Sequence, residues 1–106
     1  MKITNIEVDL KGSLSKVDVL SIFGKTLGYT EDQKWGKNWD ALNDILEYLD
    51  TGGIFEGNNI ILKPIIFSIK NWSGFSINET GNFAVLLSIL NDKKSKYPGE
   101  FDFQLL

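Results

Sequence analysis

The chain contains no cysteine, no histidine and no arginine, and only two prolines. Without cysteine there is no disulfide framework and no thiolate metal site, a composition that a reducing cytoplasm permits. Losing histidine as well removes the usual near-neutral general base, and losing cysteine removes the most nucleophilic side chain. What remains for catalysis is carboxylate, lysine, tyrosine and serine chemistry. No apolar stretch reaches the ~18–20 residues that a membrane-spanning helix needs. The opening residues Met1-Lys2-Ile3-Thr4-Asn5-Ile6-Glu7 lack the apolar run of a signal peptide, so a cytoplasmic location with no membrane association is expected. A glycine-rich phosphate loop, a dinucleotide fingerprint and a zinc-spaced cluster are all missing, so neither cofactor nor metal is expected.

What is present fits one domain spanning residues 1–106, long enough to bury a core without staples. Fourteen acids against eleven lysines give a net charge of −3, and the excess is local. Between Tyr29 and Asp50, the acids Glu31, Asp32, Asp40, Asp44, Glu47 and Asp50 outnumber Lys34 and Lys37 by four, leaving the rest of the chain at +1. An acidic patch on a near-neutral body argues against nucleic-acid binding, which needs a basic footprint. It favours a basic protein partner and electrostatically steered association.

The stretch from Trp35 to Asp50 reads as a helix with a tight entry. Gly36 permits a turn, Asn38 is a good N-cap, and Gly52-Gly53 supplies a left-handed stop. Leu42, Ile45, Leu46 and Leu49 follow the spacing of a buried stripe. Asp40, Asp44 and Glu47 form a second stripe, with Asp50 close to it. These like charges at i,i+4 and i,i+3 cost about a few tenths of a kcal/mol each, and no basic residue between Asp40 and Asp50 offsets them. Glu47 and Asp50 also sit at the negative end of the helix dipole. Either this is a solvated face, or it is a surface kept negative to meet a positive partner.

Elsewhere the pattern alternates strands and helices. Ile3 to Leu10 has period-2 burial on Ile6, Val8 and Leu10. A helix capped by Ser13 or Ser15 runs to about Leu27, with Val17, Leu20, Phe23 and Leu27 inward, and Gly28 ends it. Residues 51–63 are rich in turn formers and read as an irregular connection, with room for a short hairpin. Ile65 to Ile69 is nearly unbroken apolar sequence, suited to a central strand covered on both faces. Asn71 to Asn78 reads as a loop whose Trp72 and Phe75 cover the core. A helix from about Glu79 to Lys94, capped by Asn78, buries Phe83, Leu86, Leu87 and Leu90. The helix dipole accounts for Lys93, Lys94 and Lys96 at its end. Pro98-Gly99 turns into a last strand, Phe101 to Leu105. The order is β-α-α-β-α-β, and helices between successive strands imply parallel pairing with right-handed crossovers.

Gly36-x-Asn38-x-Asp40-Ala41-Leu42-x-Asp44-x-Leu46, preceded by Trp35, resembles the inhibitory helix of the barstar family, small bacterial proteins that neutralise barnase-type ribonucleases. The resemblance implies an α/β fold with a three-stranded parallel sheet in order 1-2-3. It also implies an inhibitory surface made of the loop before the second helix, that helix, and a carboxylate late in the third. Asp40 and Asp44 fall on the motif's two aspartates and Asn38 on its capping asparagine. By resemblance, Asp44 enters the nuclease active site in place of a substrate phosphate. The match departs at three residues, and in a 51–63 connection longer than the family's equivalent link. Lys34 stands where the family's best-known member has an aromatic, Asn43 where it has a tryptophan, and Asn91 where it has the third-helix glutamate, with Asp92 as a displaced candidate. These departures leave the identity of the nuclease open.

The candidate partner-binding residues are therefore Trp35, Asn38, Trp39, Asp40, Asn43, Asp44, Glu47 and Asp92. Trp39 can equally pack on the core, and Trp35 can equally be a loop anchor, although tryptophan is enriched at binding hot spots. Three functions compete. The leading one is an immunity-type inhibitor, monomeric when free, that occludes a basic ribonuclease or nuclease toxin. The second is a domain of the same fold that binds another basic protein. The third is an enzyme using Asp40 and Asp44 as an acid/base pair, which needs a cleft that an outward helix hardly offers. A metal on the stripe is disfavoured, because carboxylates on one straight helix cannot wrap an ion.

Overall fold

A computed structural model of the chain describes residues 3–29, 35–49 and 64–106. Strand β1 (Thr4–Asp9) leads into helix α1 (Lys16–Thr26) and then helix α2 (Trp39–Glu47). Strand β2 (Ile65–Lys70) follows, then a short helix α3 (Ser73–Asn78), helix α4 (Thr80–Lys96) and strand β3 (Phe101–Leu105). The strands form one parallel sheet in the order β1-β2-β3, with Ile6 opposite Phe67 and Phe67 opposite Phe103. Two right-handed crossovers that step the same way place the helices on one face of such a sheet. Among the described residues, no helix is long and apolar enough to cross a membrane. The expected helical stop at Gly52-Gly53 and the connection over 51–63 lie outside the described residues, as do Lys34 and Asp50.

Alternation in each strand decides which side chains meet the helices. Val8, Leu10, Ile65, Phe67, Ile69 and Phe101 are buried toward them, with Phe67 between the rings of Phe23 (6.4 Å) and Phe101 (5.4 Å). The expected cover on both faces of β2 is supplied differently on each side. Its second face carries Ser68, which is buried by its neighbours' side chains: the Ser68 hydroxyl donates to Asn5 Oδ1 (3.0 Å) and accepts from Gln104 Nε2 (2.8 Å). In a three-stranded sheet the middle strand can be sheltered by its flanking strands alone.

Helix α1 begins where Ser15 Oγ accepts from the Asp18 amide (3.2 Å), and Gly28, at φ 89°, carries the chain away from its end. Val17, expected inside, is 64% exposed, because the inward stripe starts two residues later with Val19, Leu20 and Phe23. The loop expected over Asn71–Asn78 instead winds into α3, which drives Phe75 fully into the core, edge-on to Phe83 (6.2 Å). Trp72 stacks on Phe83 (5.6 Å) and donates its indole N–H to the Leu106 carbonyl (2.9 Å), so these aromatics are core cover as expected. Asn78 does not cap α4. It closes α3, and its amide donates to the Leu14 carbonyl (2.9 Å), tying α3 to the turn after β1.

Candidate functional site

The entry to α2 is built from three adjacent residues. Lys37 takes the left-handed backbone (φ 47°), and Asn38 Oδ1 then accepts from the Ala41 amide (2.8 Å), satisfying one of the helix's orphan donors. Gly36 is needed for space rather than for φ: a Cβ there would come 2.8 Å from Asn38 Nδ2 and disturb the cap. Inward, Leu42, Ile45 and Leu46 are at most 1% exposed, and each contributes about 1.5–3 kcal/mol by burial. That greatly exceeds the few tenths of a kcal/mol that each like-charge pair costs. The packing therefore sets the helix's orientation, and the acids are left outside.

The two tryptophans go to the fold. Trp35 is 5% exposed, in tilted contact with Tyr29 (6.3 Å) and lying against Gly24 of α1, where a Cβ would approach its ring to 2.6 Å. This is the placement of the loop-anchor alternative, since Gly24 opens a slot that takes the indole. Trp39 is half-buried against the core, and its indole N–H donates to Asn82 Oδ1 on α4 (3.0 Å); Asn82 in turn donates to Glu79 Oε2 (2.9 Å).

The acidic stripe divides. Asp40 and Asp44, one turn apart, are exposed and enter no ion pair or side-chain hydrogen bond among the described residues. Asn43 beside them is half-buried. Glu47, expected in the partner-binding set, is turned from this surface toward α4. Its carboxylate accepts from Lys93 (2.6 Å), Lys96 (2.5 Å) and the Tyr97 hydroxyl, and it is 21% exposed. These bonds, Lys93 first, hold the Glu47 carboxyl down at about 2, and Glu47 in turn raises both Lys96 and Tyr97 above their ordinary values. Two of the three lysines that the dipole of α4 explains, Lys93 and Lys96, thus serve α2 as well. Their pairing was invisible in the sequence because 46 residues separate Glu47 from Lys93. Asp92 is exposed on α4 and makes no hydrogen bond or ion pair with α2.

Among the described residues no three acids gather as a metal cluster. An apolar hollow of about 450 Å³ lies at the starts of β2 and β3, lined by Ile3, Pro64, Ile66, Pro98 and Phe101, and no residue of α2 reaches it. Asp40 and Asp44 therefore do not line that hollow.

A family model described as Barstar (barnase inhibitor) matches residues 3–105, essentially the whole chain. The chain belongs to the barstar family. A search of curated proteins returns no match. The family is described as an inhibitor of barnase. The barstar fold accounts for the parallel 1-2-3 sheet, and barstar-family membership implies a protein partner such as a ribonuclease.

Proposed function

We propose that this protein is an immunity-type inhibitor that binds and blocks a basic, barnase-type ribonuclease or a related nuclease toxin inside the cell that makes it. Asp40 and Asp44 stand in for substrate phosphates and take charge-assisted hydrogen bonds from the enzyme's Arg and Lys side chains. Asn38 and Asn43 flank them as polar contacts, and Asp92 adds a carboxylate from the neighbouring helix. The observation that carries this reading is the pair itself. On a helix whose third acid is tied inward, two carboxylates one turn apart stay exposed and unpaired among the described residues. The two exposed aspartates support it by steering a basic partner toward this helix.

The test is titration of a barnase-type ribonuclease with the purified, monomeric chain. RNA hydrolysis should fall in proportion to added protein and stop at one equivalent. Asp44→Ala should abolish that endpoint while leaving the urea midpoint unchanged or slightly higher, because it removes repulsion with Asp40. A panel of basic ribonucleases left fully active by the wild-type chain would refute the proposal. So would an Asp44→Ala protein that loses its fold while its folded fraction still inhibits. A second reading, a barstar-like domain for another basic protein, draws on Asn43 and Asn91 standing where the family's best-known member has a tryptophan and a glutamate. Affinity capture with a basic protein that has no nuclease activity, abolished by the same Asp44→Ala change, would favour it.

A further inference from the structure

Helix α2 is too weak to hold its own shape. It has nine residues, whereas isolated helices below ~12–15 residues are marginal in water. Asp40, Asp44 and Glu47 repel one another along it, and its last turn holds no basic residue to meet the negative end of the dipole. Both its ends are nevertheless tied to the same neighbour. At the N-terminal end, the Trp39 indole bonds Asn82 of α4. At the C-terminal end, Glu47 collects Lys93 and Lys96 from α4 and the Tyr97 hydroxyl just beyond it. Lys93 is only 5% exposed, so its charge is committed to this contact. The cations missing from the last turn of α2 are supplied by another helix.

We infer that Glu47 and Lys93 form a positioning clamp that locks α2 onto α4 and so fixes the direction in which Asp40 and Asp44 point. As a claim about inhibition it rests on the nuclease-binding reading above. Glu47 belongs by sequence to the acidic stripe yet does not touch the partner; it acts through the helix that carries the two aspartates. Preorganisation of this kind acts on complex lifetime, because a loosened helix must be reordered at each encounter and escapes sooner. It should leave the association rate nearly alone, since that rate follows net charge and the exposed aspartates.

The experiment uses the full chain with the paired change Glu47→Gln and Lys93→Met, which leaves net charge unaltered, and the milder single change Glu47→Gln. Hydrogen exchange of the free proteins is followed at the α2 amides Leu42, Ile45 and Leu46, with β2 amides as an internal measure of global stability. Association and dissociation rates are then measured against a barnase-type ribonuclease. The α2 amides should exchange about tenfold faster relative to β2 in the paired variant, with a smaller increase in the single one. Dissociation should speed up about tenfold, with association changed by no more than about twofold. Unchanged relative exchange in α2 would overturn the clamp. Faster exchange with unchanged dissociation would overturn its positioning role while leaving the inhibitor reading intact. Failure of the wild-type chain to bind would instead refute the inhibitor reading, and with it any role of the clamp in inhibition, and the exchange result alone would then decide whether Glu47 and Lys93 hold α2.

Discussion

Glu47→Gln should make the protein's stability less dependent on acid. In the folded chain the Glu47 carboxyl is held at about 2, against an ordinary value of 4.5, chiefly by Lys93 and then by Lys96 and Tyr97. A folded value below the unfolded one means that the unfolded state takes up the proton first as pH falls. The stabilisation is therefore complete above about pH 5 and is lost as pH drops from 4.5 toward 2. Taken at face value the shift is worth about 3 kcal/mol. Lys96 is 58% exposed, and solvent screening there reduces the expected contribution to about 2 kcal/mol. Glutamine keeps the shape and a carbonyl acceptor but cannot ionise, so it resembles the protonated glutamate. Urea unfolding should show the variant less stable by about 2 kcal/mol at pH 7, with more than half of that difference gone by pH 3. Asp9 and Asp102 also have lowered values, from Asn71 and from the Phe103 amide respectively, but both remain in the variant and cancel in the difference. Parallel stability curves for the two proteins from pH 7 to pH 3 would refute the reasoning, since they would mean that Glu47 gains nothing from its three donors.

Other substitutions separate the packing from the charge. Gly24→Ala places a methyl 2.6 Å from the Trp35 ring, so it should cost about 1–3 kcal/mol and shift indole emission toward that of an exposed tryptophan. Leu46→Ala empties a site that is 1% exposed and should lose about 2–5 kcal/mol in urea unfolding, while the folded fraction still titrates a nuclease at one equivalent. Association with a basic nuclease should slow as ionic strength rises from low to physiological, measured by stopped flow, and Asp40→Asn should flatten that dependence.

The strand order came with the family resemblance, whereas the buried stripe of α2, its asparagine cap and the apolar run of β2 were legible in the residues themselves. Each depends on local periodicity or on short-range hydrogen bonding, which the residue order carries directly: Leu42, Ile45 and Leu46 share a helix face whatever surrounds them and are buried, while Leu49, expected on the same stripe, is buried beyond the helix end at Glu47. The family motif lies in the same short stretch and was readable for the same reason. The fate of individual acids and tryptophans was not legible. Asp44 and Glu47 are three residues apart on one helix and chemically alike, yet one faces solvent and the other is tied to three donors. Trp35 was open to a contact or an anchoring role in the sequence, and the slot that takes it comes from Gly24, eleven positions earlier. Ser68 interrupts an apolar run with a hydroxyl whose partners come from β1 and β3. In each case the deciding neighbour is distant in sequence, and only packing of the helices against one another and onto the sheet determines which side chains meet.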